Sequence, residues 1–376
     1  MNRRGFLDIQ RLAGVAGQVS SAVADVAECV NGADWADPSS TELALVHVSR
    51  RAMATSFEIV IPCGVPEPVP AAERALDLIA DLEGQLTVYR ETSEVARLNR
   101  LAPTQPVALE ARLYALLKTA WRISEETEGA FDATAGALVK TWGFLRRAAR
   151  VPTMEERRDA LGRVGFRKVL FNDVERTCRY VCDGLEINLG SIGKGYALDR
   201  AAELLRDEHR VPAALLHGGH SSVYALGTDP RDPRGWSVAI RHPFDADRTL
   251  AVIRLRDAGL ATSAATFQHL DYHGRKLGHV LDPRTGWPAD KLAQATVIAP
   301  TSAEADALST AFFVMGIDGA RRYCDTHPQV AAILLPADDL APVLLNLSDA
   351  ACGLAPPQIT NTAPLTTHHS LLTVHS

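Results

Sequence analysis

The sequence predicts an α+β fold, and three patterns carry that expectation. Two amphipathic stripes at helical spacing lie in its first half, short apolar strands fill much of the second, and two further helices interrupt those strands. The 376 residues suffice for one large core or for two to three smaller ones. With 47% hydrophobic and 22% charged residues, the composition is that of an ordinary soluble globular protein. The formal charge of −6 comes with no basic stripe to follow a phosphate backbone, so nucleic acid is not an expected partner. Clusters such as Arg146-Arg147-Ala148-Ala149-Arg150 read as solvated surface. The six cysteines show no paired zinc-ligand spacing, and a chain of this length needs no disulfide framework.

Residues 1–45 read as leader plus linker. Asn2-Arg3-Arg4-Gly5-Phe6-Leu7 resembles a degenerate twin-arginine export signal, because Asp8, Gln10, Arg11, Gln18 and Asp25 interrupt the apolar stretch that should follow. A working signal places the protein in the periplasm or cell envelope; otherwise it is cytoplasmic. No run is long enough for a transmembrane helix. A domain is expected over residues 46–337. Its first strand is Thr55–Ile61, followed by a helix at 70–85 on Ala71, Ala75, Leu76, Leu78, Ile79 and Leu82. Leu113 to Thr127 repeats the helical spacing with Leu116, Leu117, Ala120 and Ile123. Strands are predicted at Lys168–Phe171, Leu185–Leu189, Ala213–His217, Ser237–Ile240 and Leu250–Leu255. A helix from about Gly195 to Leu205 interrupts them, and another follows Pro300, with Thr301 or Ser302 as its cap and Glu304 in its first turn. Residues 338–376 read as a low-complexity tail, and His368, His369 and His375 as part of it rather than as a metal tract.

Four segments carry candidate chemistry. Asp306 and Thr310 lie one helical turn apart, ahead of the apolar run Ala311-Phe312-Phe313-Val314. A carboxylate and a hydroxyl held by a core helix suit a hard cation such as Mg²⁺, although the same spacing also occurs at ordinary helix starts. Leu189-Gly190-Ser191-Ile192-Gly193-Lys194-Gly195 joins a strand to a helix, where small residues and free amides favour an anion and Lys194 adds a charge. It is not a Walker loop, because Gly195 follows the lysine; a plain glycine-rich turn is the alternative. His217-Gly218-Gly219-His220-Ser221-Ser222 follows an apolar strand, and its two histidines have no third zinc ligand at useful spacing. His279-Val280-Leu281-Asp282-Pro283-Arg284-Thr285-Gly286 places His, Asp, Arg and Thr around one tight turn, with His279 on a strand and able to take a proton near neutrality. Ala261-Thr262-Ser263 ends a strand that forms another wall of the same pocket.

Six segments in order over roughly residues 50–335 resemble the ApbE family, the FAD:protein FMN transferases. They are Met53-Ala54-Thr55; Leu86-Thr87-Val88-Tyr89 with Ser93 to Asn99; Gly129-Ala130-Phe131-Asp132-Ala133-Thr134 with Trp142-Gly143-Phe144; Leu189 to Asp199; His279 to Gly286; and Ala305 to Thr310. The resemblance implies an α+β, T-fold-like unit in two interleaved lobes with FAD in the cleft between them. It implies Mg²⁺-dependent cleavage of FAD, attachment of FMN through a phosphoester to a Thr or Ser of an acceptor flavoprotein bearing a flavinylation motif, and release of AMP. By the same resemblance Asp306, Thr310 and a backbone carbonyl near Gly193 hold Mg²⁺, and His279 deprotonates the incoming hydroxyl. Lys194, Gly218 and Gly219 lie along the FAD, Met53, Tyr89 and Trp142 help wall its ends, and Ser191, Thr262 and Arg284 join them on the FAD side. Peripheral membrane association is a further expectation. The chain departs from the family pattern at Ser191, Gly193, His220 and Ala264. These departures bear on FAD orientation, so a non-catalytic FAD-binding protein or chaperone, and an FAD pyrophosphatase giving FMN and AMP, stay open as alternatives.

Overall fold

A long antiparallel sheet with helices on one face and a hairpin on the other positions everything else. The computed structural model describes residues 44–144, 149–264, 269–272, 275–337 and 341–347; the expected export signal, and the expected tail beyond residue 347, lie outside the described residues. Its elements in chain order are β1 (Leu45–Ala52), β2 (Thr55–Pro62), α1 (Pro68–Leu86), α2 (Glu94–Leu101), β3 (Val107–Ala108), α3 (Ala111–Glu126), α4 (Gly136–Thr141) and α5 (Met154–Leu161). There follow β4 (Val169–Asn172), β5 (Thr177–Tyr180), α6 (Gly193–Asp207), β6 (Ala214–Gly218), β7 (Ser222–Leu226), β8 (Trp236–His242), β9 (Asp245–Leu255) and β10 (Ala258–Ala264). The chain continues with β11 (His269–Tyr272), β12 (Arg275–Gly278), β13 (Leu292–Ala299), α7 (Ser302–Thr326), β14 (Ala331–Pro336) and β15 (Val343–Leu345).

The main sheet has the order β1-β2-β6-β7-β10-β13-β14-β15, with every neighbouring pair antiparallel. Side chains alternate across a strand, so each strand serves two cores. Phe57, Ile59, Leu216, Val297 and Leu334 face the core that α1, α6 and α7 share. Val60, Leu215, Leu260, Ile298 and Ile333 face the opposite way and are covered by Trp236, Val238, Ile240 and Ile253 of the β8–β9 hairpin. With both faces covered, all eight residues of β13 are buried, Gln294 and Thr296 included. The segment between β2 and β6 carries α2–α5 and the small sheet β3-β5-β4. Leu113, Phe166 and Cys178 of that segment belong to the same continuous core as Phe57, so the two parts share one interior.

Local chemistry accounts for the boundaries. Met53 and Ala54, with φ of 49° and 62°, make the two-residue turn that matches the twist of the β1–β2 hairpin. Ser93 caps α2 by accepting from the Ala96 N–H at 3.0 Å, and Thr153 and Glu156 close a capping box on α5. Thr301 caps α7 by accepting from the Glu304 N–H at 3.2 Å.

Three expectations from the sequence are corrected. Leu185–Leu189 is not a strand: it makes a single bridge, Ala135 to Glu186. Its polar backbone is satisfied instead by the Asn99 side chain, which accepts from Ile187 N and donates to Ile187 O, both at 2.9 Å. The folded unit also runs past residue 337, because β15 extends the sheet. Asn346 holds that strand's end by donating to Cys324 O at 2.8 Å and Val330 O at 3.0 Å, contacts that no local pattern announces. Finally, His279 lies one residue beyond β12 rather than on a strand.

The tightest joint is where α6, α7 and β10 meet at Ser302. A Cβ on Gly195 would overlap the Ser302 carbonyl and come within 2.7 Å of the Ala303 nitrogen, and one on Gly259 would meet the Thr301 carbonyl carbon at 2.6 Å. Gly193, one position before Lys194, has only Leu189 and Leu86 side-chain carbons at 3.8 and 3.9 Å from such an atom. Gly195→Ala is therefore expected to destabilise the protein by about 3 kcal/mol, and Gly193→Ala to change stability by less than about 1 kcal/mol. Urea unfolding followed by circular dichroism tests the contrast; equal effects of the two changes would contradict it.

Candidate functional site

The Ser302 joint brings the N-termini of α6 and α7 side by side, and each helix supplies a carboxylate to the other. Asp306 of α7 accepts from the Gly195 N–H at 2.7 Å, in the first turn of α6. Asp199 of α6 accepts from the Ser302 and Ala303 N–H groups at 2.7 and 2.9 Å, at the start of α7. Both carboxylates are buried. Asp306 supplies what the N-cap of α6, Ile192, lacks, since that helix has no side-chain cap and no acidic residue in its first turn, and Asp199 adds to the Thr301 cap of α7.

Asp306 is the centre of a polar cluster. Its second oxygen accepts from the Ser222 hydroxyl at 2.6 Å, and Lys194 Nζ stands 4.0 Å from the oxygen that Gly195 also bonds. One turn further along α7, the Ser309 and Thr310 hydroxyls donate back to the Asp306 carbonyl at 2.9 and 3.4 Å. Ser263 of β10 joins them, 2.9 Å from Ser309 Oγ and 3.4 Å from Thr310 Oγ1. Thr262 lies on the same strand; its N–H donates to Ser221 O at 2.8 Å, while its hydroxyl pairs with Thr296 at 2.9 Å. Asp306, Thr310, Lys194 and the Gly193–Gly195 turn, drawn from two distant stretches of sequence, thus stand together. Ser222 and Ser263, which the sequence offered only as parts of the His217–Ser222 and Ala261–Ser263 segments, join them together with Ser309 of α7, because packing rather than spacing brings them there.

The remaining residues fall around this centre in two groups. Gly219 donates its N–H to Ser56 O at 2.8 Å and has φ 67°, with Thr55 packed where a Cβ would stand. That places the Gly218-Gly219 turn against the hairpin turn of Met53, which is half-buried. Ser191 is half-buried and its φ is not in the left-handed region, so the serine imposes no backbone strain there. The last residue of α1, Leu86, approaches Gly193, and the loop that follows it carries Tyr89, 71% exposed.

The second group is the turn following His279. Val280 O accepts from Ala289 N at 2.9 Å, and Asp282 N donates to Trp287 O at 2.8 Å. Arg284 is held by Asp282 through two side-chain bonds at 2.9 Å, and this pairing raises the guanidinium pKa further. Trp142 differs from the expectation that it walls the flavin. It is fully buried, its indole N–H donates to Gly286 O at 2.9 Å, and its ring packs on Trp287 at 5.6 Å. Its role in this structure is to hold the turn from beneath. His279 is half-buried at the head of that turn.

The oxygen set at Asp306 fits a hard cation. Among the described residues no three His, Cys, Asp or Glu side chains gather to chelate a metal, so a cation here would have one carboxylate with hydroxyl and carbonyl oxygens. Mg²⁺ is commonly held in this way, by one or two carboxylates and the phosphates of a substrate.

Comparison with known proteins gives the chain's family and relatives. The family model described as the ApbE family matches residues 53–334. The FAD:protein FMN transferase of Treponema pallidum (strain Nichols) is 33% identical over 282 residues, covering 71% of this chain and 77% of that protein. The FAD:protein FMN transferase of Haemophilus influenzae is 30% identical over 270 residues, covering 70% and 77%. Among solved structures, the ApbE protein of Thermotoga maritima superposes with a TM-score of 0.72 at 30% identity, over 80% of this chain and 97% of that one. The flavin transferase ApbE of Vibrio cholerae gives 0.71 at 26% identity, over 81% and 97%.

The buried Asp199 generates a pH test. Burial raises its pKa from 3.8 to about 7, against the lowering effect of the Ser302 and Ala303 amides. An acid with a raised folded pKa binds more protons folded than unfolded between those values, so its contribution to stability is lost as pH rises from 3.8 to about 7. Asp199→Asn is expected to remove that downward slope, read as unfolding midpoints across pH 4 to 8. An unchanged slope would assign the titration to another group.

Proposed function

Because the chain belongs to the ApbE family, we propose that it is a Mg²⁺-dependent FAD:protein FMN transferase, moving FMN from FAD to a Ser or Thr hydroxyl of an acceptor flavoprotein. The observation that carries this reading is the buried Asp306 carboxylate, pinned by Gly195 and Ser222 beside Lys194 and one turn from Thr310. Such a carboxylate cannot swing away to solvent, and it stands where two helix N-termini and a lysine favour phosphate oxygens.

Asp306, Thr310 and the Gly193 carbonyl would hold the cation, which when bound neutralises charge on the pyrophosphate as the P–O bond breaks. Lys194 and the first-turn amides of α6 bind and orient the phosphates. The Gly218-Gly219 turn lets the backbone approach the substrate closely, with Met53, Tyr89, Ser191, Thr262 and Arg284 along the same side. His279 takes the proton from the acceptor hydroxyl, which then attacks the phosphorus of the FMN half, and AMP leaves. Trp142 acts through the Gly286 carbonyl, keeping the His279 turn in place. An envelope location, with peripheral association to a membrane-bound acceptor, follows from this activity if the arginine-pair leader is functional.

FAD, Mg²⁺ and an acceptor carrying the flavinylation motif are expected to yield one AMP per covalent flavin, seen as fluorescence in a denaturing gel. Asp306→Ala should abolish both signals with the fold retained, and His279→Ala should lower transfer by about 10²- to 10⁴-fold. AMP without acceptor would instead favour a pyrophosphatase, and stoichiometric FAD uptake with no AMP a binding protein. Ser222→Ala removes a bond to the carboxylate rather than a ligand. It is expected to raise the Mg²⁺ concentration for half-maximal transfer by about 10- to 100-fold while leaving the maximal rate nearly intact. An unchanged Mg²⁺ dependence would deny Ser222 that positioning role.

A further inference from the structure

The face of α6 turned away from Lys194 lines a second cleft. Tyr196, Asp199, Arg200 and Glu203 recur at one helical stripe, while Lys194 stands about 200° around the axis from Tyr196. Opposite them, α3 presents Arg112, Leu116, Thr119 and Arg122 at the same kind of spacing. The space between is about 410 Å³, within the range that holds a small organic ligand.

Among the described residues, three donors on this cleft have no protein acceptor, two of them buried. The Tyr196 hydroxyl is hidden from solvent without a hydrogen-bond partner, although the residue is only 8% exposed. Arg200 Nε is likewise buried and unpartnered; only the far end of its guanidinium meets Glu203. Arg112, exposed at the first turn of α3, forms no side-chain hydrogen bond or ion pair among the described residues. Arg200 lies over the Tyr196 ring at 5.5 Å. Burial lowers its pKa, Arg112 and Arg206 add to that and Tyr196 and Asp199 oppose it, while Asp199, Glu203 and Glu304 also line the cleft. Buried donors without acceptors are costly and rare; two of them on one cleft, with the exposed Arg112 beside them, call for an oxyanion. A tetrahedral phosphate can accept from several directions at once and pairs well with guanidinium groups.

We propose that the α3–α6 cleft is a second ligand site, separate from the Asp306 centre, that accepts the phosphate of a small phosphomonoester through Arg112, Arg200 and Tyr196. Asp199 and Ala303 form part of its wall, so the site adjoins the joint that sets α7 in place.

Inorganic phosphate titrated into the full-length protein, followed by calorimetry and by ³¹P line broadening, tests this. Saturable binding is expected in the wild type and in Lys194→Ala, with affinity at least about tenfold weaker in Arg112→Gln and Arg200→Gln. Arg112 is exposed, so its variant folds even if the Arg200 variant does not. Tyr196→Phe should weaken binding without altering the far-ultraviolet spectrum. Absence of saturable binding would overturn the proposal. So would binding lost in Lys194→Ala but kept in both arginine variants, or equal competition by acetate at matched ionic strength. None of these readouts depends on flavin transfer, so failure here is distinguishable from failure of the proposed activity.

Discussion

Two helices that start at the same point and cap one another are the constraint on which this site rests. α6 needs an acceptor for its first-turn amides and receives Asp306; α7 needs the same and receives Asp199. Neither carboxylate would be tolerable in the interior alone, since an unpaired buried charge is expensive. Together with the amides they are satisfied, and the arrangement closes only because Gly195 and Gly259 leave room for Ser302 between them. The sheet contributes the remaining anchors, Ser222 to Asp306 and Ser302 to Val223 O at 2.9 Å.

This joint converts a structural necessity into chemistry. A helix pair whose N-termini converge is attractive to anions, and a carboxylate embedded there is attractive to a cation. Under the proposed function, phosphate and metal would thus be drawn to one place from opposite electrostatic causes, with Lys194 and Thr310 on the flanks. The hydroxyls of Ser222, Ser263 and Ser309 add polarity without adding charge, which keeps the carboxylate as the dominant negative group.

Much of the fold was legible beforehand. The periods of α1 and α3, the strands β2, β6, β8 and β9, and the caps of α7 follow from local propensity and alternation, which act over a few residues. The expected strand at Leu185–Leu189 failed because Asn99, far away in sequence, takes the backbone groups that a neighbouring strand would have used. β15 was missed because three residues carry too little periodicity to register, and its anchor is again a distant side chain.

By itself the chain's sequence determined which residue types carry chemistry and in what order: Asp306 and Thr310 one turn apart, the glycine-flanked Lys194, and the His279 turn. It also sufficed to identify the family. Only the tertiary structure decided that Ser222 holds Asp306, that Asp199 answers it from the other helix, and that Trp142 supports a turn from within the core. The reason is physical. Spacing along a chain specifies which side chains share a local face, whereas a hydrogen bond between distant segments exists only once packing has set two backbones at one separation.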